Sequence, residues 1–159
     1  MTTPTKAARR QQPHDEPDLL QLDRQVCFAL AVASRTVVSL YRPLLEPMGL
    51  THPQYLVMLA LWEAEPLRVS ELADRLSLEP ATLSPLLKRL EAGGLVARRR
   101  EPSDERAVAV TLTPAGRALR TQAERIPPAV VARLGIELTE LEELRDRLTS
   151  VIEAARRGR

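Results

Sequence analysis

The sequence is short of the residues that several common protein classes require. It holds one cysteine in 159 residues, so it cannot form an internal disulfide. This excludes a disulfide scaffold and favours a reducing compartment. Aromatic residues make up only 3% of the chain, so leucine, valine and alanine must build most of any core. We expect one domain, alone or with an oligomerisation arm, because small cores often gain stability from a partner subunit.

Long apolar runs, a secretory leader and histidines are also scarce. No uninterrupted apolar run reaches the roughly 18 residues of a membrane helix. The N-terminal residues lack the apolar core of a secretory signal. His14 and His52 are the only histidines, which argues against metal chemistry. We therefore expect a cytoplasmic protein with no membrane partner and no cofactor.

Helical periodicity dominates the chain outside its polar, proline-containing start. A first helix begins near Leu19, and Pro43 and Pro47 are expected to end it. Thr51 is suited to cap a second, largely apolar helix, which Pro66 ends. After the central region, a helix is predicted from Thr113 through Arg125, where it meets two prolines. A last helix is predicted over 138–155.

The central region predicts a winged helix. Ser70 is suited to cap a short helix, "ELADRL", and a tight turn leads to a second helix, "PATLSPLLKRLEAGG". Segments 95–99 and 107–112 favour strands, and the polar "REPSDER" between them reads as a hairpin loop. A hairpin directly after a helix-turn-helix forms a wing. The fold class is therefore mainly α, with a winged helix-turn-helix at its centre.

The second of these helices is suited to enter a DNA groove. Its face opposite the leucine stripe holds Pro85, Lys88 and Arg89, with Thr82 and Ser84 beside it. Short polar side chains allow close approach to base edges, and the cations reach phosphate or guanine. The exposed proline is expected to loosen the first turn or to delay the start of the regular helix. A solvated surface is the other interpretation of this face.

The wing strengthens the nucleic-acid interpretation. Five positive residues stand against one negative residue between Lys88 and Arg100. An arginine at a hairpin tip suits a narrow minor groove, and Arg106 occupies that place, with Asp104 expected to hold its guanidinium. We expect DNA contact over a soluble charged turn. The candidate DNA-binding residues are Ser70, Thr82, Ser84, Pro85, Lys88, Arg89, Arg98, Arg99, Arg100, Asp104 and Arg106.

Over about residues 19–155 the chain resembles the MarR family of bacterial regulators. The match lies in the "DER" of the wing, in "TLTPAGR" after it, and in "SELADRLSLEPATLSPLLKRLE" before it. "VCFALAVASRTVVSLYRPLLEPMGLTHPQY" is similar to the organic hydroperoxide resistance branch, one-cysteine type. The resemblance implies an interlocked homodimer that binds a pseudo-palindromic operator, represses a peroxidase gene and is associated with the nucleoid. It implies a dimerisation region (19–48 and 113–156) and a DNA-binding domain (49–112). The polar, proline-containing start of the chain (1–18) lies outside the resemblance and is expected to form a flexible tail.

The resemblance also implies that Cys27 senses organic hydroperoxides and that Tyr41 assists it. On one helix the 14 residues between them span roughly 21 Å, so contact requires Tyr41 of a second subunit. The branch often has tyrosines where this chain has Ala31 and His52. His52 either replaces one as a hydrogen-bond donor or faces solvent in a first helical turn. With no second cysteine, oxidised Cys27 must take an external low-molecular-weight thiol, form a sulfenamide or over-oxidise.

Two other functions compete with peroxide sensing. In the first, the protein is a MarR-type repressor controlled by a small phenolic ligand, and Cys27 only packs as a small apolar side chain. In the second, the protein is a thiol peroxidase. The enzyme interpretation leaves the wing and the basic cluster unexplained, and the chain has no resolving cysteine, so no enzymatic activity is expected.

Overall fold

A computed structural model describes residues 18–158 of the chain. By its internal contacts the chain divides into two units, one reaching Arg35 and the other beginning at Thr36. In the first unit a 3₁₀ turn, Leu22–Arg24, leads into helix α1 (Val26–Leu45), which continues into the second unit. The tail expected over 1–18 lies, apart from Asp18, outside the described residues.

Helix α1 passes the proline that was expected to end it. It continues through Pro43 to Leu45, and a 3₁₀ turn, Glu46–Met48, follows. Proline removes only its own N–H bond and clashes only with the preceding turn, so the helix gains two further residues. Gly49 leaves the turn with a φ of 66°, a left-handed conformation that glycine adopts without a steric penalty.

The stretch Val26–Met48 is long and apolar enough to cross a membrane by length and composition, with a mean hydropathy of 1.2 over its best window. The stretch contains Arg35 and Arg42, so it is not an uninterrupted apolar run of the kind that the sequence excludes. Core helices and signal sequences have the same length and composition.

Helix α2 (His52–Glu63) is the centre of the second unit, as its apolar sequence predicted. The backbone N–H of Thr51 donates to Oε1 of Gln54 at 2.8 Å, which fixes the start of the helix. Val57, Met58 and Leu61 are buried almost completely. They form one core with the buried leucines of the next two helices and with Val96 and Val110 of the sheet. The other elements of the winged helix therefore pack against α2.

The helix-turn-helix consists of α3 (Val69–Leu76) and α4 (Pro80–Ala92). Helix α3 begins one residue before Ser70, so Ser70 is not its cap. The N-cap is Arg68, whose backbone N–H donates to Oε2 of Glu71 at 2.7 Å. The expected loosening at Pro85 is also absent, because α4 is regular from Pro80 onward and contains Pro85 on its exposed side.

A three-stranded antiparallel sheet completes the winged helix. Its strands are β1 (Leu67–Arg68), β2 (Val96–Glu101) and β3 (Asp104–Leu112), in the order β1-β3-β2. The predicted seven-residue loop is much shorter, since Glu101 pairs with Asp104 and only two residues turn between them. Polar side chains do not prevent pairing here, because backbone groups form the ladder. The two-residue β1 was not predicted.

Three helices follow the wing: α5 (Pro114–Ala123), α6 (Ile126–Leu134) and α7 (Leu138–Arg157). Thr113 caps α5 as predicted, with its hydroxyl oxygen accepting from the N–H of Gly116 at 3.0 Å. Helix α6 is not predicted by the sequence pattern, because Pro127 and Pro128 are residues that also end helices. Prolines are tolerated in a first turn, where N–H groups have no helical partner, and there they begin α6.

Candidate nucleic-acid interface and sensor residues

A groove of about 470 Å³ lies between the helix-turn-helix and the wing. Five of the predicted DNA-binding residues line it: Ser70 from α3, Ser84 from α4, and Arg98, Asp104 and Arg106 from the hairpin. Helix α3 enters at its N-terminal end, and the wing strands form the opposite wall. With Arg68, which also lines the groove, two hydroxyl groups and three guanidinium groups meet one carboxylate in a concave surface, and this excess of positive charge suits an anionic ligand.

Asp104 and Arg106 are in contact, but by a different bond from the one expected. Oδ1 of Asp104 accepts the backbone N–H of Arg106 at 3.0 Å. The sequence had predicted a fork between this carboxylate and the guanidinium. A short aspartate side chain readily accepts the main-chain N–H two residues further on, and this bond stabilises the backbone at the start of β3. Arg106 itself is exposed.

Arg98 forms an ion pair with Glu91 of the same chain. Its Nε and Nη2 atoms lie 3.0 and 2.7 Å from Oε2 of Glu91, and its backbone N–H donates to Oε1 at 3.1 Å. These hydrogen bonds, with the positive charge of Arg98, lower the pKa of Glu91 below its ordinary value, although partial burial opposes them. The carboxylate of Glu91 therefore stays ionised and forms an ion pair with the guanidinium of Arg98.

Arg68 lines the same groove and was not among the predicted residues. Its Nε and Nη2 atoms contact the two oxygens of Glu101 at 3.0 and 2.7 Å. The hydrogen bond and charge of Glu101 raise the pKa of Arg68 above its ordinary value. Only the pairing of β1 with β3 brings this residue to the wing, and a two-residue strand leaves no periodic signal in the sequence.

The remaining predicted DNA-binding residues lie on exposed surfaces outside the groove lining. They are Thr82, Pro85, Lys88 and Arg89 on α4, and Arg99 and Arg100 on β2. Arg98 and Arg99 lie on a strand as predicted, and Arg100, which was expected in the loop, lies on the same strand. Neighbouring strand residues point to opposite faces, so Arg99 lies on the face opposite Arg98 and Arg100.

Tyr41 and His52 are packed together within one chain. Their ring centroids are 4.9 Å apart with an edge-to-face angle of 67°, and Tyr55 lies 6.0 Å from Tyr41. His52 is half-buried rather than solvent-facing, and this burial lowers its pKa from the ordinary value of 6.5. Burial, with a smaller contribution from Tyr41, raises the pKa of Tyr55. The lowered pKa favours a neutral imidazole, which is a donor and acceptor rather than a cation.

Cys27 belongs to the first unit, where it lies exposed near the start of α1. Tyr41 and His52 belong to the second unit. Within residues 18–158, no cluster of three or more histidine, cysteine or carboxylate side chains could hold a metal ion.

Comparison with known proteins identifies relatives along most of the chain. The MarR family pattern matches residues 50–108. The regulator TtmR of Methylorubrum extorquens is 45% identical over 148 residues, which is 93% of this chain and 75% of TtmR. The organic hydroperoxide resistance transcriptional regulator of Bacillus subtilis is 38% identical over 86% of this chain and 92% of its own. The chain belongs to the MarR family.

This confirms the resemblance drawn from the wing and from the N-terminal half. The relatives are transcriptional regulators, so this MarR-family protein is a regulator and not an enzyme. Two solved structures share its fold, and the winged helix is confirmed. Reduced AbfR bound to DNA, a protein of Staphylococcus epidermidis, is 33% identical with a TM-score of 0.76, over 89% of this chain and 97% of its own.

The second solved structure contains a bound small molecule. CouR from Rhodococcus jostii, bound to p-coumaroyl-CoA, is 27% identical with a TM-score of 0.71, over 83% of this chain and 94% of its own. AbfR, by contrast, is also described in an overoxidized and a disulfide form. Relatives of the same fold are thus associated with cysteine oxidation and with an aromatic ligand.

Proposed function

We propose that this MarR-family regulator is a DNA-binding repressor that senses organic hydroperoxides through Cys27. The observation that carries the DNA part is the groove, in which Ser70, Ser84 and Arg106 meet between the helix-turn-helix and the wing. Helix α4 enters the major groove, where Thr82 and Ser84 approach base edges. Lys88, Arg89, Arg99 and Arg100 contact phosphates, and Arg106 of the wing reaches the minor groove.

The repressor acts as a homodimer on a pseudo-palindromic operator. Residues 49–112 form its DNA-binding domain, and 19–48 with 113–156 form its dimerisation region. Helix α7 supports this assignment, since Leu144, Val151 and Ile152 are about half exposed on it. A second copy covers this apolar stripe. The dimer places its two α4 helices about 34 Å apart, one turn of DNA.

Sensing begins with the thiolate of Cys27. It attacks the terminal, hydrogen-bearing oxygen of the peroxide, the O–O bond breaks, and a sulfenic acid forms on the cysteine. The alkoxide that leaves takes a proton from solvent to become the alcohol. A low-molecular-weight thiol then condenses with the sulfenic acid, releasing water and leaving a mixed disulfide. Tyr41 of the second subunit donates a hydrogen bond to the thiolate, and the neutral imidazole of His52 orients that tyrosine. The protein works in the cytoplasm, in contact with the nucleoid.

Oxidation is coupled to DNA release through the dimer interface. The added bulk and polarity rotate the two winged domains and break the match to the operator. A coupling of about 3 kcal/mol is enough to weaken affinity roughly 150-fold.

The test needs a duplex that the protein recognises. We define the selected duplex as the sequence that the wild-type protein enriches from a random-sequence pool. Cumene hydroperoxide should release the wild-type protein from the selected duplex in a gel-shift titration. Cys27→Ser should bind the duplex with wild-type affinity and remain bound after peroxide. If Cys27→Ser is still released by peroxide, the sensor assignment is wrong.

A repressor controlled by a small phenolic ligand is the second candidate, and the likeness to CouR with its bound p-coumaroyl-CoA favours it. Under this alternative Cys27 has no signalling role. A phenolic compound would then release both the wild-type protein and Cys27→Ser from the selected duplex, and peroxide would release neither.

A further inference from the structure

Two arginines of the groove already hold anions that belong to the protein. The guanidinium of Arg68 forms two parallel bonds to the two carboxylate oxygens of Glu101, at 3.0 and 2.7 Å. This fork is the geometry with which arginine also binds a phosphate group. The two residues lie 33 positions apart, so the pair forms only when the wing folds against α3.

Arg98 and Glu91 form a second ion pair between an arginine of the groove and a carboxylate of the protein. Both Nε and Nη2 of Arg98 contact one oxygen of Glu91, and the other oxygen accepts the backbone N–H of Arg98. Glu91 lies in the last turn of α4, the helix proposed to enter the major groove. One carboxylate from the helix and one from the wing thus hold the two arginines.

Both pairs are open to solvent. The side chains of Arg68 and Glu101 are 47% and 22% exposed, and those of Arg98 and Glu91 are 31% and 38% exposed. Exposed ion pairs contribute little to folding stability, because water and salt screen them. An incoming phosphate can therefore replace either carboxylate without unfolding the protein, although the displaced carboxylate then lies close to a polyanion.

We propose that Glu91 and Glu101 are specificity-determining residues that weaken nonspecific DNA binding by occupying Arg98 and Arg68 in place of DNA phosphates. This inference rests on the proposed DNA-binding function. Phosphate contacts supply essentially all of the affinity for a random sequence and only part of the affinity for a specific one. A protein that occupies two of its own phosphate-binding cations therefore spends less time on DNA that it does not recognise.

The test measures binding to a random-sequence duplex by fluorescence anisotropy as salt is varied. Glu101→Gln and Glu91→Gln should each raise the affinity, by up to about eightfold at 0.1 M salt, and steepen the slope of log K against log salt by about 0.9. Glu124→Gln is the matched control, since it removes the same charge from an exposed pair with Arg120 on α5. The effect of Glu124→Gln on affinity should be smaller, and it measures the contribution of the change in net charge alone.

A double substitution tests whether the gain in affinity comes from breaking the Arg68–Glu101 ion pair or only from removing one negative charge. Glu101→Gln should have no effect beyond that of the control when Arg68→Gln is already present. The inference is overturned if the affinity of either variant for the random-sequence duplex rises no more than that of Glu124→Gln. It is also overturned if either variant binds the duplex more weakly than the wild type with an unchanged melting temperature, or if Glu101→Gln still raises the affinity when Arg68→Gln is present. A wild-type protein that enriches no sequence from the pool and does not bind the random duplex overturns the proposed function as well.

Discussion

The indole N–H of Trp62 donates a hydrogen bond of 2.9 Å to the carbonyl oxygen of Gly116, 54 residues further along the chain. Nearby, Glu65 accepts the backbone N–H of Leu112 and the guanidinium of Arg117, both at 2.7 Å. The end of α2 is thereby fixed to the base of the wing and to the start of α5. The wing is consequently oriented by the central helix and not only by its own strands.

Gly116→Ala should destabilise the protein. A Cβ atom at this position would lie 2.1 Å from the carbonyl oxygen of Leu95, which is backbone and cannot rotate away. We expect a loss of about 1–3 kcal/mol in the free energy of unfolding, measured by urea denaturation. Gly158→Ala is the control, because its nearest atoms would be 3.7 Å away or more. At an exposed helix position with no such contact, a glycine-to-alanine change stabilises a protein by about 1 kcal/mol. A stabilised Gly116→Ala would therefore contradict the close approach to the carbonyl oxygen of Leu95.

Arg106→Ala should weaken binding to the selected duplex. The loss of one groove-inserting arginine is expected to cost about 1–3 kcal/mol, or roughly 5- to 150-fold in Kd. The side chain is exposed, so the melting temperature should not change. Arg120→Ala, which removes an exposed arginine from α5, should leave the affinity near that of the wild type. An unchanged affinity of Arg106→Ala in a gel-shift titration would exclude the wing role.

The packing of His52 against Tyr41 predicts a pH-dependent stability. Burial lowers the pKa of His52 in the folded state, so below pH 6.5 the unfolded chain binds more protons than the folded one. The contribution of His52 to the free energy of unfolding should therefore decrease as pH falls from 6.5 through the folded pKa, and be constant above 6.5. Urea denaturation should show a smaller loss between neutral and mildly acidic pH in His52→Asn than in the wild type.

The pKa of His52 can also be measured directly. An NMR titration of His14→Gln, which retains a single histidine, should give a midpoint below 6.5. A midpoint at or above 6.5 would mean that the imidazole is charged more readily than its burial implies. In that case the packing of His52 against Tyr41 would not persist in solution, and the proposed orientation of Tyr41 by a neutral imidazole would lose its support.

The elements that were predicted correctly are those with a local signal. The leucine stripe of α4, the apolar sequence of α2 and the Thr113 cap each depend on residues within a few positions of one another. The errors occur where a local signal has two structural meanings. Pro127 and Pro128 can end a helix or begin one, and a polar run can be a loop or two paired strands.

The winged helix, the family and the residue types of a DNA-binding face can be read from the amino-acid order, because periodicity, caps and motifs are properties of neighbouring residues. Which of the charged groups form ion pairs depends on the folded chain. Arg68 finds Glu101 because β1 pairs with β3, and Arg98 finds Glu91 because β2 returns beside α4. Hydrogen bonds act over about 3 Å, so partners distant in sequence are fixed by the register of the fold.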